Sequence, residues 1–394
     1  MVNMEKLYLE VSMLSVFRSV LDKPLFTCFS AYSTADGVSQ RINHYAAMVA
    51  EIYRDGGSLT ELVRRIVFED ENVYIKMRAV GRTVPAAIAE AADRELTVLS
   101  RFASLKPEDF GKDIRELLGL EYLSPFSSES CDLRNEYEVR IKDISKHGYG
   151  IFSSYPMFRL NDCGEISPVL SSDAVTLDSF IGYESERRAV VENTHAFLAG
   201  KPAANVLLYG DAGTGKSSTV KAVVNHFYDS GLRLIELRKD QLSFLPYVMG
   251  RILENPLKFI IFIDDLSFNK NDDNFSMLKA ALEGSASARA DNALIYATSN
   301  RRHIVKETFD DREGGDVHRN DTMQEKLSLS ERFGLSVWFG KPSKQHYLDI
   351  VHGLAARYDL QLDPVTLDIK AEEFALRRGN RSPRCAEQFI KSLL

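Results

Sequence analysis

Cysteine is scarce and scattered in this chain of 394 residues: Cys28, Cys131, Cys163 and Cys385 form no CxxC pair. That spacing excludes a disulfide scaffold and the common zinc frameworks, and suits separate thiols in a reducing compartment. Long apolar runs are missing as well. No stretch approaches the roughly 18 apolar residues of a membrane-crossing helix. The opening MVNMEKLYLEV carries an acid and lacks the extended apolar region of a signal peptide. A cytoplasmic protein without a membrane span is therefore expected. Basic charge is not in excess, since 49 Lys and Arg stand against 56 Asp and Glu, a net charge of −7. This removes the generic electrostatic argument for nucleic acid, though a local basic stripe would still serve. The eight histidines show no HExxH or Cys/His cluster, and no GxSxG element marks a serine hydrolase.

What is present describes an ordinary globular chain, 44% hydrophobic and 27% charged. Its length suits two or three domains of roughly 100–200 residues each. Residues 1–120 read as a helical accessory domain: segments 4–21, 38–54, 58–78 and 85–105 carry apolar residues at three- and four-residue spacing, as in Tyr45, Val49, Ile52 and Tyr53. Catalytic spacing is absent there. Residues 121–172 read as a connector with short strands, because EYEVRIKDISKHGYGIFSSYPMFRL contains alternating, β-prone runs broken at Gly148 and Gly150.

From residue 173 the texture becomes strand, turn, helix, repeated. ANVLLYG, LRLIELR, KFIIFID, NALIYATS and LSVWFG are five strand candidates with helical stretches between them. Apolar strands alternating with helices predict a parallel sheet covered on both faces, over residues 173–342. Residues 343–394 carry helical periodicity alone and predict a small helical lid.

The segment Gly210-Asp211-Ala212-Gly213-Thr214-Gly215-Lys216-Ser217 fits G-x-x-x-x-G-K-[ST]. Glycines let the backbone wrap around phosphate so that successive amides point inward. The helix that starts near Lys216 adds the positive end of its dipole. Lys216 can reach the β- and γ-phosphates, and the Ser217 hydroxyl is placed for Mg²⁺. The match lies where the chemistry demands, between a buried strand and a helix.

Asp264 and Asp265 close the strand FIIFI, 48 residues after Lys216. An acid at the carboxyl end of a buried strand beside a phosphate loop can hold Mg²⁺ through its water shell, which suits Asp264. Asp265 is then placed to orient or deprotonate the attacking water. Without the phosphate loop the pair would read as a strand-ending turn. Asn300 ends the next strand and could contact a γ-phosphate or hold the water. Arg332, in SERFG, can supply charge to a phosphoryl transition state, or it can pair with Glu331 on the surface. Arg384 opens the final helix within reach of phosphate if the lid folds back. Its neighbours Arg377, Arg378 and Arg381 keep a plain solvated helix end open as the other reading.

In order, LDSFIGYESER, the phosphate loop, FIIFIDD, ATSN, SERF and GNRSPR resemble the AAA+ ATPase module, over about residues 173–394. The resemblance implies an α/β P-loop NTPase fold with a C-terminal helical lid, behind a mainly helical N-terminal domain. It places Phe180, Ile181, Gly182 and Tyr183 against adenine. Gly210, Gly213, Thr214, Gly215, Lys216, Ser217 and Ser218 fall on or beside Walker A, Asp264 and Asp265 on Walker B, and Asn300 on sensor 1. Arg332 would be the arginine finger and Arg384 the sensor-2 arginine. More narrowly, DDLSF, LKAALEG, YATSNRRHIV and LSERFG resemble the bacterial family domain of unknown function 815. One departure is that Walker B ends Asp-Asp rather than the common Asp-Glu, as in replication initiators and some helicase loaders.

The expected activity is Mg²⁺-dependent ATP binding and hydrolysis, coupled to remodelling or loading of a macromolecule. Ring or spiral homo-oligomers are expected, with DNA as a candidate partner. The alternative is a nucleotide-gated switch or helicase-loader-like adaptor with little turnover. A P-loop kinase fits less well, because Asn300, Arg332 and Arg384 would have no work in it. Phe244 is the sole aromatic in the place of a threading loop, but no glycine follows it directly, which speaks against an unfoldase and for helix packing. The polar stretch 301–331 reads as a solvated loop or as a sensor of nucleotide.

Overall fold

The protein is described here by a computed structural model covering residues 3–110, 123–170, 175–267, 273–282, 291–300 and 332–394. It divides into two compact units. One comprises Met1–Ser154 with Glu254–Pro256, the other Tyr155–Leu253 with Leu257–Leu394.

Helices build the first unit: α1 (Met4–Ser12), α2 (Pro24–Thr34), α3 (Val38–Arg54), α4 (Leu59–Phe68), α5 (Val73–Ala79), α6 (Ala86–Ala103), α7 (Leu133–Lys142) and α8 (Ile144–His147). The expected helix 58–78 is two, because Asn72 starts a new one: its side chain accepts from the Ile75 amide. Helix α2 lies outside the expected segments. Its sequence PLFTCFSAYST buries Leu25, Phe26, Phe29 and Tyr32 with little polar contrast around the helix, so periodicity does not reveal it. Phe26 stacks on Phe102 at 4.7 Å, and Phe29 meets the same ring edge-on at 4.8 Å. The buried Glu95 carboxylate takes the amides of Ser15, Val16 and Phe17, which ties a loop to the core. In α3, Tyr45, Val49 and Ile52 are buried as expected, while Tyr53 is half-exposed and donates to the Pro125 carbonyl.

Residues 121–172 are distributed over both units. The alternation Tyr137, Val139, Ile141 reads as strand but forms α7, whose cap Asp132 accepts from the Asn135 amide. Two strands do follow, β1 (Met157–Leu160) and β2 (Ile166–Pro168).

The second unit continues with α9 (Glu184–Leu198), β3 (Val206–Gly210), α10 (Lys216–His226), β4 (Leu232–Leu237), α11 (Leu245–Ile252), β5 (Lys258–Ile263), α12 (Asp273–Leu282), β6 (Ala293–Ser299) and β7 (Leu335–Phe339). Three helices form the lid: α13 (Lys344–Arg357), α14 (Pro364–Arg378) and α15 (Pro383–Lys391). All five strand candidates are strands, and the sheet order is β2-β1-β4-β5-β6-β3-β7. Every described pairing is parallel except β1 with β2. The first P-loop strand, β3, lies between β6 and β7, so the order of connections reverses beside it. In open α/β sheets that reversal leaves a crevice at the carboxyl ends of the strands. The result is a mostly parallel α/β sheet followed by three C-terminal helices.

One core joins the sheet to the lid. Val206 and Leu208 of β3, Val220 and Val223 of α10, and Tyr347, Val351, Phe389 and Ile390 of the lid belong to the same buried cluster. Phe244 packs its ring over Gly164, whose added Cβ would stand 2.5 Å from it, so packing is its structural role. No helix among the described residues is long and apolar enough to cross a membrane.

Candidate nucleotide site

Strand β3 ends at Gly210, which has φ 135° because β7 passes directly against it: a Cβ there would lie 2.1 Å from the Phe339 carbonyl oxygen. The Asp211 amide donates to that oxygen at 3.0 Å, and Asp211 Oδ2 accepts from the Lys341 amide at 2.9 Å. The buried Thr214 braces the loop from inside, its hydroxyl donating to the Asp211 carbonyl at 2.8 Å. Gly213 and Gly215 take φ 77° and 92°, and Gly215 caps α10 in the left-handed conformation. Among the described residues, a Cβ on Gly215 would meet a Phe180 ring atom at 3.8 Å, an ordinary contact distance.

Lys216 is buried, and its Nζ donates to the carbonyls of Gly210 at 2.9 Å and Asp211 at 2.7 Å and to Asn300 Oδ1 at 3.2 Å. Burial lowers its pKa; Asp211, Asp264 and Asp265 oppose that shift, and nearby Arg384 adds to it. Ser217 Oγ donates to Asp264 Oδ1 at 2.6 Å. Ser218 follows, half-buried, on the first turn of α10. Asp265 has φ 50°, uncommon for a residue with a side chain. Asn300 Nδ2 donates to Asp265 Oδ1 at 2.8 Å. Thus Lys216, Asn300, Asp265, Asp264 and Ser217 stand together at the carboxyl ends of β3, β5 and β6. A cavity of about 410 Å³, lined among the described residues by Tyr209, Gly210, Asp211, Asn300 and Trp338, opens beside them.

The lid reaches the same place. The Arg384 amide donates to the Gly213 carbonyl at 3.2 Å, and a Cβ on Gly213 would lie 3.3 Å from Arg384 Cβ. The neighbouring arginines are engaged elsewhere: Arg377 with Glu373, Arg378 over the Phe374 ring, and Arg381 with both oxygens of Glu372 at 3.0 and 2.7 Å. Arg332, half-buried, opens the turn into β7.

The segment Phe180–Tyr183 borders the phosphate loop through Phe180. Gly182 and Tyr183 have φ 77° and 59°. The Tyr183 ring stacks on Phe339 at 5.5 Å, and its hydroxyl donates to the Gly340 carbonyl. Lid helix α13 closes over the segment. Cβ atoms added to Gly182 and Gly353 would lie 2.4 Å from His346 Nε2 and 2.7 Å from Ile181 Cδ1. Arg357 donates to the carbonyls of Asp178 and Ser179.

Sequence reasoning missed three contributors. Arg187 is buried under the Phe180 ring at 4.9 Å and donates to the Gly182 carbonyl; burial lowers its pKa, with Glu184 and Glu186 opposing. Asp211 fastens the phosphate loop to the start of the lid. Thr298, a buried hydroxyl at the end of an apolar strand, contacts both acids. The sequence signal for Thr298 is a polar pair, Thr298-Ser299, before Asn300. The stretch 301–331 lies outside the described residues, as do Glu283 and Gly284 at the end of LKAALEG.

The donor set fits MgATP. Ser217 and Asp264 offer hard oxygen ligands, and the loop offers backbone amides at a helix start, which suits a cation that keeps waters and phosphate oxygens in its shell.

A family profile described as "Protein of unknown function (DUF815)" matches residues 153–394. No curated protein matches the chain. Among solved structures, the chain is similar to the Thermotoga maritima RuvB Holliday junction branch migration motor at 14% identity, covering 56% of this chain and 72% of that one with a TM-score of 0.34. A lysine-to-arginine mutant of the same RuvB gives 19% identity, 55% of this chain and a TM-score of 0.37, and there the likeness spans 63% of the RuvB chain, less than two thirds of its length. A threonine-to-valine mutant gives 15% identity, 56% and 72% coverage and a TM-score of 0.34.

Proposed function

We propose, for a chain that belongs to the DUF815 family and whose family description assigns no task, that it is a Mg²⁺-dependent ATPase. One observation carries this reading: a glycine-lined loop, Lys216, Ser217, Asp264, Asp265 and Asn300 are joined by hydrogen bonds at one edge of a parallel sheet. On ATP binding, Lys216 exchanges the carbonyls of Gly210 and Asp211 for phosphate oxygens, and the loop amides enclose the β-phosphate. Ser217 and Asp264 would hold Mg²⁺, which when bound neutralises charge on the phosphates. Asp265 accepts the proton of the attacking water, and Asn300 orients that carboxylate. Arg384 brings the lid's charge to the phosphates. The segment Phe180–Tyr183 takes the base. Arg332 completes the site of a neighbouring copy in a ring or spiral, and lid movement passes the cycle to a macromolecular partner. DNA is one candidate partner. A cytoplasmic location is part of the same proposal.

The test is ATP hydrolysis with and without Mg²⁺, alongside nucleotide binding. The parent should hydrolyse ATP only with Mg²⁺, Lys216→Ala should lose nucleotide binding, and Asp265→Asn should retain bound ATP unhydrolysed. A Lys216→Ala chain that binds ATP like the parent refutes the site.

A second reading, a nucleotide-gated binding module with little turnover, is favoured by Asp265 itself. It is one methylene shorter than the usual Glu and already engaged by Asn300. Fast turnover by the isolated parent excludes it.

A further inference from the structure

The turn after β5 has an unusual shape, and its stitching comes from β6. Thr298 Oγ1 donates to Asp264 Oδ1 and accepts from the Asp265 amide at 2.9 Å. The Leu266 amide donates to the Thr298 carbonyl at 2.7 Å, and Ser299 Oγ donates to the Leu266 carbonyl at 2.9 Å. Between these bonds Asp265 adopts its left-handed conformation, φ 50°, and its carboxylate faces Asn300.

Packing alone does not call for a hydroxyl here. Thr298 is 1% exposed, at the end of the apolar run Ala293–Ala297, in register with Leu208 of β3. Valine has the same branched shape and would fill the position. A buried hydroxyl is costly unless its hydrogen bonds are made, and this one makes one as donor and one as acceptor, each to one of the two acids.

We infer that Thr298 is a positioning residue for the ATPase site: its hydroxyl fixes the Asp264 carboxylate and holds the Asp265 backbone in the turn that aims Asp265 at Asn300. This rests on the reading of Asp264 and Asp265 given above, but its first test needs no nucleotide.

The experiment compares the full chain with Thr298→Val and Thr298→Ser. Amide hydrogen exchange across residues 264–266 is followed without ligand, and kcat and KM for MgATP are then measured. Valine should speed exchange at the turn. It should lower kcat roughly tenfold to hundredfold, the scale of a misplaced reacting group, while KM moves less than about threefold. Serine should restore both exchange and kcat. A valine chain with the parent's exchange and kcat overturns the inference; so does a serine chain as impaired as valine, which would assign the effect to the methyl group. If the valine chain does not fold, Thr298→Cys, a weak hydrogen-bonder, is set against Thr298→Ser, and equal values for those two overturn it. A parent that neither binds nor hydrolyses ATP refutes the ATPase, while the exchange comparison still decides what Thr298 does.

Discussion

Gly210 and Gly215 share a motif, yet for different reasons. A Cβ on Gly215 would make no more than ordinary contact with the Phe180 ring, so what favours glycine there is its φ of 92°. Gly210 faces the Phe339 carbonyl, so its glycine is needed by β7 before any ligand arrives. Gly210→Ala should therefore destabilise the chain itself, by about 2–4 kcal/mol for a buried backbone clash at positive φ, seen as a lowered thermal midpoint without nucleotide. An unchanged midpoint would mean the β3–β7 junction yields freely. Residues of this motif are legible in the sequence because their spacing is local: the loop, its Lys216 and its Ser217 are consecutive, and Asp264 ends an unmistakable apolar strand. Thr298 is not. Its meaning lies in bonds to residues 33 and 34 positions away, which one sequence does not pair.

Elements are legible where burial is two-sided. Strands β3, β5 and β6 are nearly continuous apolar runs and show themselves, while β4 carries Arg233 and Glu236 and β7 alternates, with Ser336 and Trp338 exposed. Helix α2 shows little polar contrast around its circumference, and α7 mimics alternation until its Asp132 cap is known. The lid is visible as helices, but its seating is not. His346, Ile350, Gly353 and Arg357 recur at helical spacing and place one face of α13 against residues 178–183. Gly353→Leu should push Ile181 out of that contact. At roughly 1–3 kcal/mol for overpacking, ATP affinity should fall about tenfold or more, while the helix itself gains propensity from losing a glycine. Parent-like affinity in Gly353→Leu would remove the base from this segment.

For the molecule as a whole, the sheet exceeds the expected five strands because β1 and β2, read as a connector, extend it beyond β4. If Arg332 acts across copies, turnover should rise more steeply than linearly with protein concentration. Arg332→Ala should then cut kcat by about 10³-fold or more, as for a finger supplied in trans, and leave ATP affinity intact. A rate per chain that is constant with concentration, or an alanine chain with full activity, excludes a shared site. Trp338 adds a practical property. It is the chain's sole tryptophan, 60% exposed, and shares a cavity with Gly210, Asp211 and Asn300. Indole emission from the unlabelled protein thus has a single source, a lamp at the rim of that cavity.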